Sequence, residues 1–270
     1  MKIQPHSDLA CESSRLAGIS GGRTVTRTIG GVRITDIRIP EQERRIRPGR
    51  YITLEGDPSR NALPALLRRA LEQILPTGGT ILAAGLGNPD ITRDSLGALA
   101  IRRLVPQRGS RYSLAAIETD VAARTGIETV SLVRAAAREI GAACVIAVDA
   151  LASRSLDRLC RTVQLADTGI VPGSGVGNHR RALTRETLGV PVLAVGVPTV
   201  VDAATLALDL LDEAGADLPD PAALRGQGSV MVTPRDIDAR AEQLARVVGF
   251  GVGLALQPSL SLDELRALID

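Results

Sequence analysis

Tryptophan is absent from the 270 residues, and the aromatic complement is two tyrosines and one phenylalanine. A chain so poor in rings has no platform on which bases stack, which argues against single-stranded nucleic-acid binding. Histidine occurs twice, as His6 and His179, with no partner at metal-ligand spacing. A serine or cysteine nucleophile would want such a histidine as its base, so triad chemistry is poorly provided for and no metal or other cofactor is expected. Cys11, Cys144 and Cys160 are odd in number and lack CxxC spacing, which points to neither a disulfide framework nor a zinc knuckle. Charge of one sign is also missing. Thirty-two Lys and Arg against thirty Asp and Glu leave a formal net charge of +2, and the arginines are spread without a long basic run, so no nucleic-acid partner is expected. No stretch approaches the ~18 uninterrupted apolar residues of a membrane span, and the opening MKIQPHSDLACESS has no signal-peptide apolar region. A cytoplasmic protein without a membrane partner is expected.

What is present is aliphatic. Apolar residues make up 44% of the chain, enough to fill the core of a folded domain from Ala, Val, Leu and Ile. Residues 1–22 are polar and turn-rich and predict a mobile N-terminal arm, followed by a single α/β domain over 23–270. From Thr24 to Ile39, alternation around Gly30-Gly31 predicts a β-hairpin. Further strands are predicted at 51–55, 81–84, 114–117, 142–149, 163–166 and 190–197. Helices are predicted from Leu63 to Ile74, after Asp94, over 128–140, after Asp202 and from Arg235 to Val248, before a glycine-spaced tail. Strands alternating with helices predict a mostly parallel sheet flanked by helices on both faces. Residues 167–178 form a glycine-rich loop too long for a mere connection.

The chain is organised around residues 80–99, where the apolar run Ile81-Leu82-Ala83-Ala84 stops at Gly85, Gly87, Asn88 and Pro89, and Asp94 then opens a helix. A second apolar run, 142–148, leads directly into Asp149. Open α/β sheets place their chemistry at such strand ends. Two carboxylates there can face each other and drive their pKa values apart, one staying ionised as a base while the other keeps a proton. Taken singly, Asp94 also reads as a helix cap and Asp149 as a strand-end carboxylate bound to loop amides, and Asp167 and Asp202 occupy comparable positions. Gly85-Leu86-Gly87-Asn88-Pro89-Asp90 matches only the first two glycines of a dinucleotide fingerprint, and the loop from Gly173 to Arg180 lacks the Lys-Ser/Thr end of a P-loop. A nucleotide-binding regulatory module remains an alternative. These glycines otherwise let backbone pass close to backbone or expose amides to an anion or a peptide carbonyl.

Six blocks, in order, resemble the germination protease family of bacterial endospores. They are 51–55; 85–88 with 92–97; 149–155; Pro172-Gly173-Ser174-Gly175-Val176-Gly177-Asn178; 196–203; and Met231-Val232-Thr233-Pro234. The resemblance implies an endopeptidase of the spore core that begins degradation of small acid-soluble spore proteins at germination. It places the proposed aspartic pair on Asp94 and Asp149. The implied fold is similar to that of the hydrogenase maturation endopeptidases, a phosphorylase/hydrolase-like α/β sandwich, and the implied assembly is a tetramer. A metal-dependent enzyme of the maturation type is the nearest alternative, although the germination protease is thought to need no metal. Gly87, Asn88, Ser153, Arg154, Gly173, Ser174 and Gly175 are the candidates for substrate or oxyanion binding.

The family is made as a zymogen and cuts itself after an acidic residue followed by an aliphatic or aromatic residue and a small one. Ser7-Asp8-Leu9-Ala10 fits that pattern, which predicts self-cleavage between Asp8 and Leu9 and a pro-segment of residues 1–8. Three departures stand out. Only the short segment around Asp212 to Gly228 remains where the family usually carries a long insertion, Arg93 stands where a proline is common, and His179 where a lysine is usual.

Overall fold

The computed structural model describes residues 7–17, 22–44, 46–109, 111–173, 181–216 and 230–269. The described chain opens with α1 (Ala10–Ala17), in the stretch for which a mobile arm was expected, and Leu9, Ala10 and Cys11 are buried there. β1 (Arg23–Ile29) and β2 (Val32–Ile39) pair antiparallel and are joined by Gly30 and Gly31 alone. Both glycines take positive φ, +58° and +76°, the geometry of a two-residue hairpin turn. β3 (Gly49–Glu55), α2 (Ala62–Glu72) and β4 (Gly79–Gly85) follow, then a single 3₁₀ turn at Thr92–Asp94 and α3 (Leu96–Ile101). Next come β5 (Tyr112–Glu118), α4 (Ala122–Thr125), α5 (Thr129–Glu139), β6 (Cys144–Ser153), β7 (Thr162–Ala166) and α6 (Arg185–Leu188). The rest is β8 (Val192–Asp202), α7 (Ala203–Glu213), β9 (Met231–Val232), α8 (Ile237–Leu256) and α9 (Leu262–Ile269).

The nine strands of the described residues join one sheet in the order β1-β2-β3-β7-β8-β6-β4-β5, with β9 paired to β8. The sheet is mixed, which corrects the expectation of a mostly parallel one. Only β5, β4, β6 and β8 run parallel to their neighbours within that block, while β1, β2, β3, β7 and β9 pair antiparallel. Short connections account for the reversals from β1 to β2, from β2 to β3 and from β6 to β7. A parallel neighbour needs a crossover of roughly a dozen residues or more, and residues 154–161 between β6 and β7 hold no α-helix that could make one.

Alternation along the strands divides the interior. Ile81, Ala83, Ile146, Val148, Leu193 and Val195 pack with α2, α3 and α8 on one face. On the other face, Leu82, Ala84, Val145 and Ala147 pack with Val130, Val133 and Ala137 of α5. A third cluster gathers Leu9, Ala10 and Cys11 with Ile37, Ile39, Tyr51, Leu151, Ala166 and Ala194. The expected glycine-spaced tail is the second half of α8, which continues to Leu256. Close packing is the reason. A Cβ on Gly249 would lie 2.7 Å from the Cβ of Arg103, and one on Gly251 would lie 2.6–2.9 Å from the Leu67 side chain. These glycines admit the neighbouring helices and do not end their own.

Candidate active site

Asp149 lies on β6 opposite Gly196 of β8 and is 3% exposed. Val145 and Ala147 belong to the second core, so a period of two sends Asp149 to that same face of the sheet. The amide of Ala150 donates to its Oδ1 at 3.0 Å.

Asp94 ends the 3₁₀ turn and is fixed from several sides. Its amide donates to the Ile91 carbonyl at 2.7 Å, and its Oδ2 accepts from the Asn88 amide at 2.7 Å. The preceding carbonyl, that of Arg93, accepts from Thr199 Oγ1 of β8 at 2.6 Å, and Ser95 Oγ donates to the Thr92 carbonyl at 2.9 Å. Gly87 completes the seat. Its φ is +92°, and a Cβ there would meet the Asp94 carbonyl oxygen at 2.1 Å and Oδ1 at 2.9 Å. Arg93 itself is exposed.

Asp149 lies within β6, which runs on to Ser153 and so corrects the expectation that the strand ends at the aspartate, while Asp94 follows β4 in the turn beyond Gly85, which is in register with Val148 of β6. Leu86 extends that pairing by donating its amide to the Val148 carbonyl at 2.8 Å. The turn that grips Asp94 is thus bonded to the residue that precedes Asp149. Asp202 and Asp167, the other two candidate acids, do different work. Asp202 caps α7 by accepting from the Thr205 amide at 2.8 Å, and Asp167 accepts from the Arg50 amide at 2.8 Å.

The remaining candidates are spread more widely. The Asn88 amide is committed to Asp94, while its Oδ1 accepts from the Asp90 amide and from Arg124. Ser153 is fully buried and donates to the Ser155 carbonyl at 3.1 Å. Arg154 sends its guanidinium to both carboxylate oxygens of Asp209 on α7, with Nε at 2.8 Å from each. Gly173 has a φ of +69°, whereas Ser174 and Gly175 lie outside the described residues. No group of three or more His, Cys, Asp or Glu that could hold a metal occurs among the described residues.

Asp8 and Leu9 are drawn onto the sheet. The Asp8 amide donates to the Ala152 carbonyl at 3.0 Å, and the Ala152 amide donates back to Asp8 Oδ2 at 2.8 Å. Gln164 of β7 donates from Nε2 to the Asp8 carbonyl at 3.0 Å and accepts from the Ala10 amide at 2.7 Å. Leu9 is completely buried, a contribution of about 1.5–3 kcal/mol to keeping the segment seated. Glu12 is fixed beside it, accepting from the amides of Arg154 at 2.7 Å and Ser155 at 3.1 Å and from Arg158 at 3.2 Å. A cavity of about 160 Å³ borders Asp8 and is lined also by Tyr51, Gln164, Thr168, Ile170 and Gly196, the β8 neighbour of Asp149. Burial pushes the Tyr51 phenol above its usual range, so it stays protonated and donates to the Arg47 carbonyl at 2.8 Å.

Gln164, Glu12 and Thr199 went unnoticed in the sequence. Gln164 carried a signal, as the one polar residue among Val163, Leu165 and Ala166, and Thr199 another, within the apolar run of β8. Glu12 carried none, because its partners are 142–146 residues away.

A family model described as germination protease matches residues 5–214. Among similar proteins, the germination protease of Clostridium acetobutylicum is 33% identical over 97% of this chain and 96% of its own length. That of Clostridium perfringens is 33% identical over 82% of each, and that of Bacillus cereus 30% identical over 99% of this chain and 95% of its own.

Proposed function

The chain belongs to the germination protease family, which makes it a peptidase of spore germination, and from that premise we propose an endopeptidase whose water is activated by Asp94 and Asp149. Its substrates are the small acid-soluble spore proteins, cut after an acidic residue in the spore core, and it works as a homo-oligomer. The observation that supports the reading is that the turn seating Asp94 is hydrogen-bonded, through the Leu86 amide, to Val148, the residue before Asp149 on the neighbouring parallel strand.

In this mechanism one carboxylate accepts a proton from water as its oxygen attacks the peptide carbonyl. The other, protonated, donates to the carbonyl oxygen; as the tetrahedral intermediate collapses, the first carboxyl passes the water's proton to the leaving amine and the second takes back a proton from the diol, so the pair ends the cycle with one proton as it began. Burial of Asp149 favours such sharing, because a low dielectric opposes two adjacent negative charges. With the Asn88 amide committed to Asp94, Gly87 and the loop from Gly173 are the remaining oxyanion candidates.

Self-cleavage between Asp8 and Leu9 belongs to the same proposal. Because the Asp8 carbonyl and Leu9 are both engaged with the sheet, the bond reaches an attacking water only after the segment leaves its seat, so processing is slow. The test is incubation with a purified small acid-soluble spore protein, with fragments and enzyme both weighed by intact-mass spectrometry. Cuts after acidic residues, followed by slow loss of residues 1–8 from the enzyme, are expected. A spore protein that stays whole would overturn the reading.

A further inference from the structure

Strand β8 carries one residue more than its neighbour can pair. Leu151 of β6 is in register with Pro198 and Ala152 with Val200, so Thr199 between them has no partner on β6 and stands in a β-bulge. A bulge re-aims a side chain that the regular pleat would hold, and such kinks gather beside active sites. Thr199 is fully buried in an apolar run, where a hydroxyl without a partner would cost free energy. Its Oγ1 donates to the Arg93 carbonyl at 2.6 Å, reaching past β6 to the turn that follows β4. That carbonyl belongs to the rigid peptide unit joining Arg93 to Asp94, and the amide of the same unit donates to the Ile91 carbonyl at 2.7 Å. Both polar ends of the plane that carries Asp94 are therefore tied, while the Asn88 amide holds its Oδ2 at 2.7 Å. Ile91 and Asn88 belong to the turn itself and move with it. Of the three, Thr199 is the one that fixes the turn to a central strand. Its own position is set by Thr233, just beyond β9, whose Oγ1 donates to the Thr199 carbonyl at 2.9 Å.

We propose that Thr199 is a positioning residue for Asp94, aimed by the β8 bulge and anchored by Thr233. The consequence for rate rests on the peptidase reading, whereas the fixing of Asp94 does not. With the hydroxyl removed, the peptide between Arg93 and Asp94 loses its outer tie and the carboxylate drifts from its seat, and a shift of about 1 Å costs about 100-fold in rate. Thr199 has no exposed surface to offer a substrate, so its loss lowers turnover and leaves KM in place.

The test compares full-length wild type with Thr199→Val, which keeps the shape and removes the donor, and with Thr199→Ser, which keeps the donor. Backbone hydrogen exchange is read first. At Asn88 and Asp94 it is expected to quicken at least tenfold in Thr199→Val and to return to within threefold of wild type in Thr199→Ser. At Leu86, whose amide is bonded to Val148, it is expected to stay constant in both. Unchanged exchange at Asn88 and Asp94 overturns the assignment. With a purified small acid-soluble spore protein as substrate, kcat is expected to fall at least tenfold in Thr199→Val, with KM within twofold of wild type, and to recover in Thr199→Ser. A raised KM at constant kcat, or a Thr199→Ser protein as slow as Thr199→Val, overturns it as well. If Thr199→Val does not fold, Thr233→Val at its half-buried position takes its place, with the same readouts and Thr233→Ser as its control. Exchange that follows the hydroxyl, in a protein whose wild type cuts no spore protein, upholds Thr199 as the support of Asp94 and sinks the peptidase reading. Spore-protein cleavage at the same kcat by wild type and Thr199→Val does the reverse.

Discussion

Asp94 is seated against Gly87, where the missing Cβ leaves it room. The backbone there has a φ of +92°, and the nearest Asp94 atom lies 2.1 Å from where a Cβ would stand. Gly87→Ala therefore strains the turn and pushes Asp94 away from its seat. The expected result is a loss of about 1–3 kcal/mol in thermal or denaturant stability. A displaced acid also predicts a fall of about 100-fold in cleavage rate, since misplacement by about 1 Å costs that much. Stability and activity both at wild-type level would show that Gly87 does not position Asp94. At this scale the apolar runs leading toward the two acids, Asp94 and Asp149, were legible as strands, although β6 continues past Asp149 to Ser153. Their supports were hidden. Thr199 reaches the Arg93 carbonyl across 106 residues of chain, and Gln164 reaches Asp8 across 156, distances over which no periodicity carries information.

Among the elements, α8 shows how glycine can be misread. An exposed helix gains roughly 0.5–1 kcal/mol when glycine becomes alanine. Gly251→Ala instead drives a methyl into Leu67 of α2, and overpacking of about 1–3 kcal/mol outweighs the gain in propensity, so the melting temperature falls. Gly253 is the control, with its closest neighbour, a Leu265 methyl, 3.3 Å away, and Gly253→Ala is expected to cost less. Equal melting temperatures for the two variants would contradict the packing account. Strand direction was the other element-level miss, since alternating strands and helices predict a parallel sheet only where the connections are long enough to cross over. The β2–β3 pair adds a dependence on pH. Arg50 donates to both carboxylate oxygens of Asp36, at 3.0 and 2.7 Å, and this hydrogen bonding holds the carboxyl below its usual value. A lowered folded pKa means stability that is complete above about pH 4 and lost as pH falls through the folded value. Asp36→Asn should thus lower unfolding stability at pH 7, by up to about 1 kcal/mol for a partly exposed pair, with the gap closing below pH 4. A gap that is constant with pH would rule out that linkage.

For the molecule as a whole, the parallel block β5-β4-β6-β8 carries Asp149 on β6 and Asp94 in the turn after β4, and the antiparallel block beside it helps seat the chain's own N-terminal segment. β1 closes the antiparallel block with all seven residues exposed and, among the described residues, no strand on its outer side. Such an edge is a ready site for a second copy. Assembly as a tetramer, which the family resemblance implies, predicts a sedimentation mass four times the 28.3 kDa chain, whereas a single-chain mass would place substrate binding within one subunit. The central claim is narrower, that Asp94 and Asp149 together activate the water. Its most direct test is spore-protein cleavage by wild type, Asp94→Asn and Asp149→Asn, side by side, with thermal melts to establish that each is folded. The account predicts that both folded variants lose at least about 100-fold in rate. Cleavage at the wild-type rate by either folded variant would contradict it.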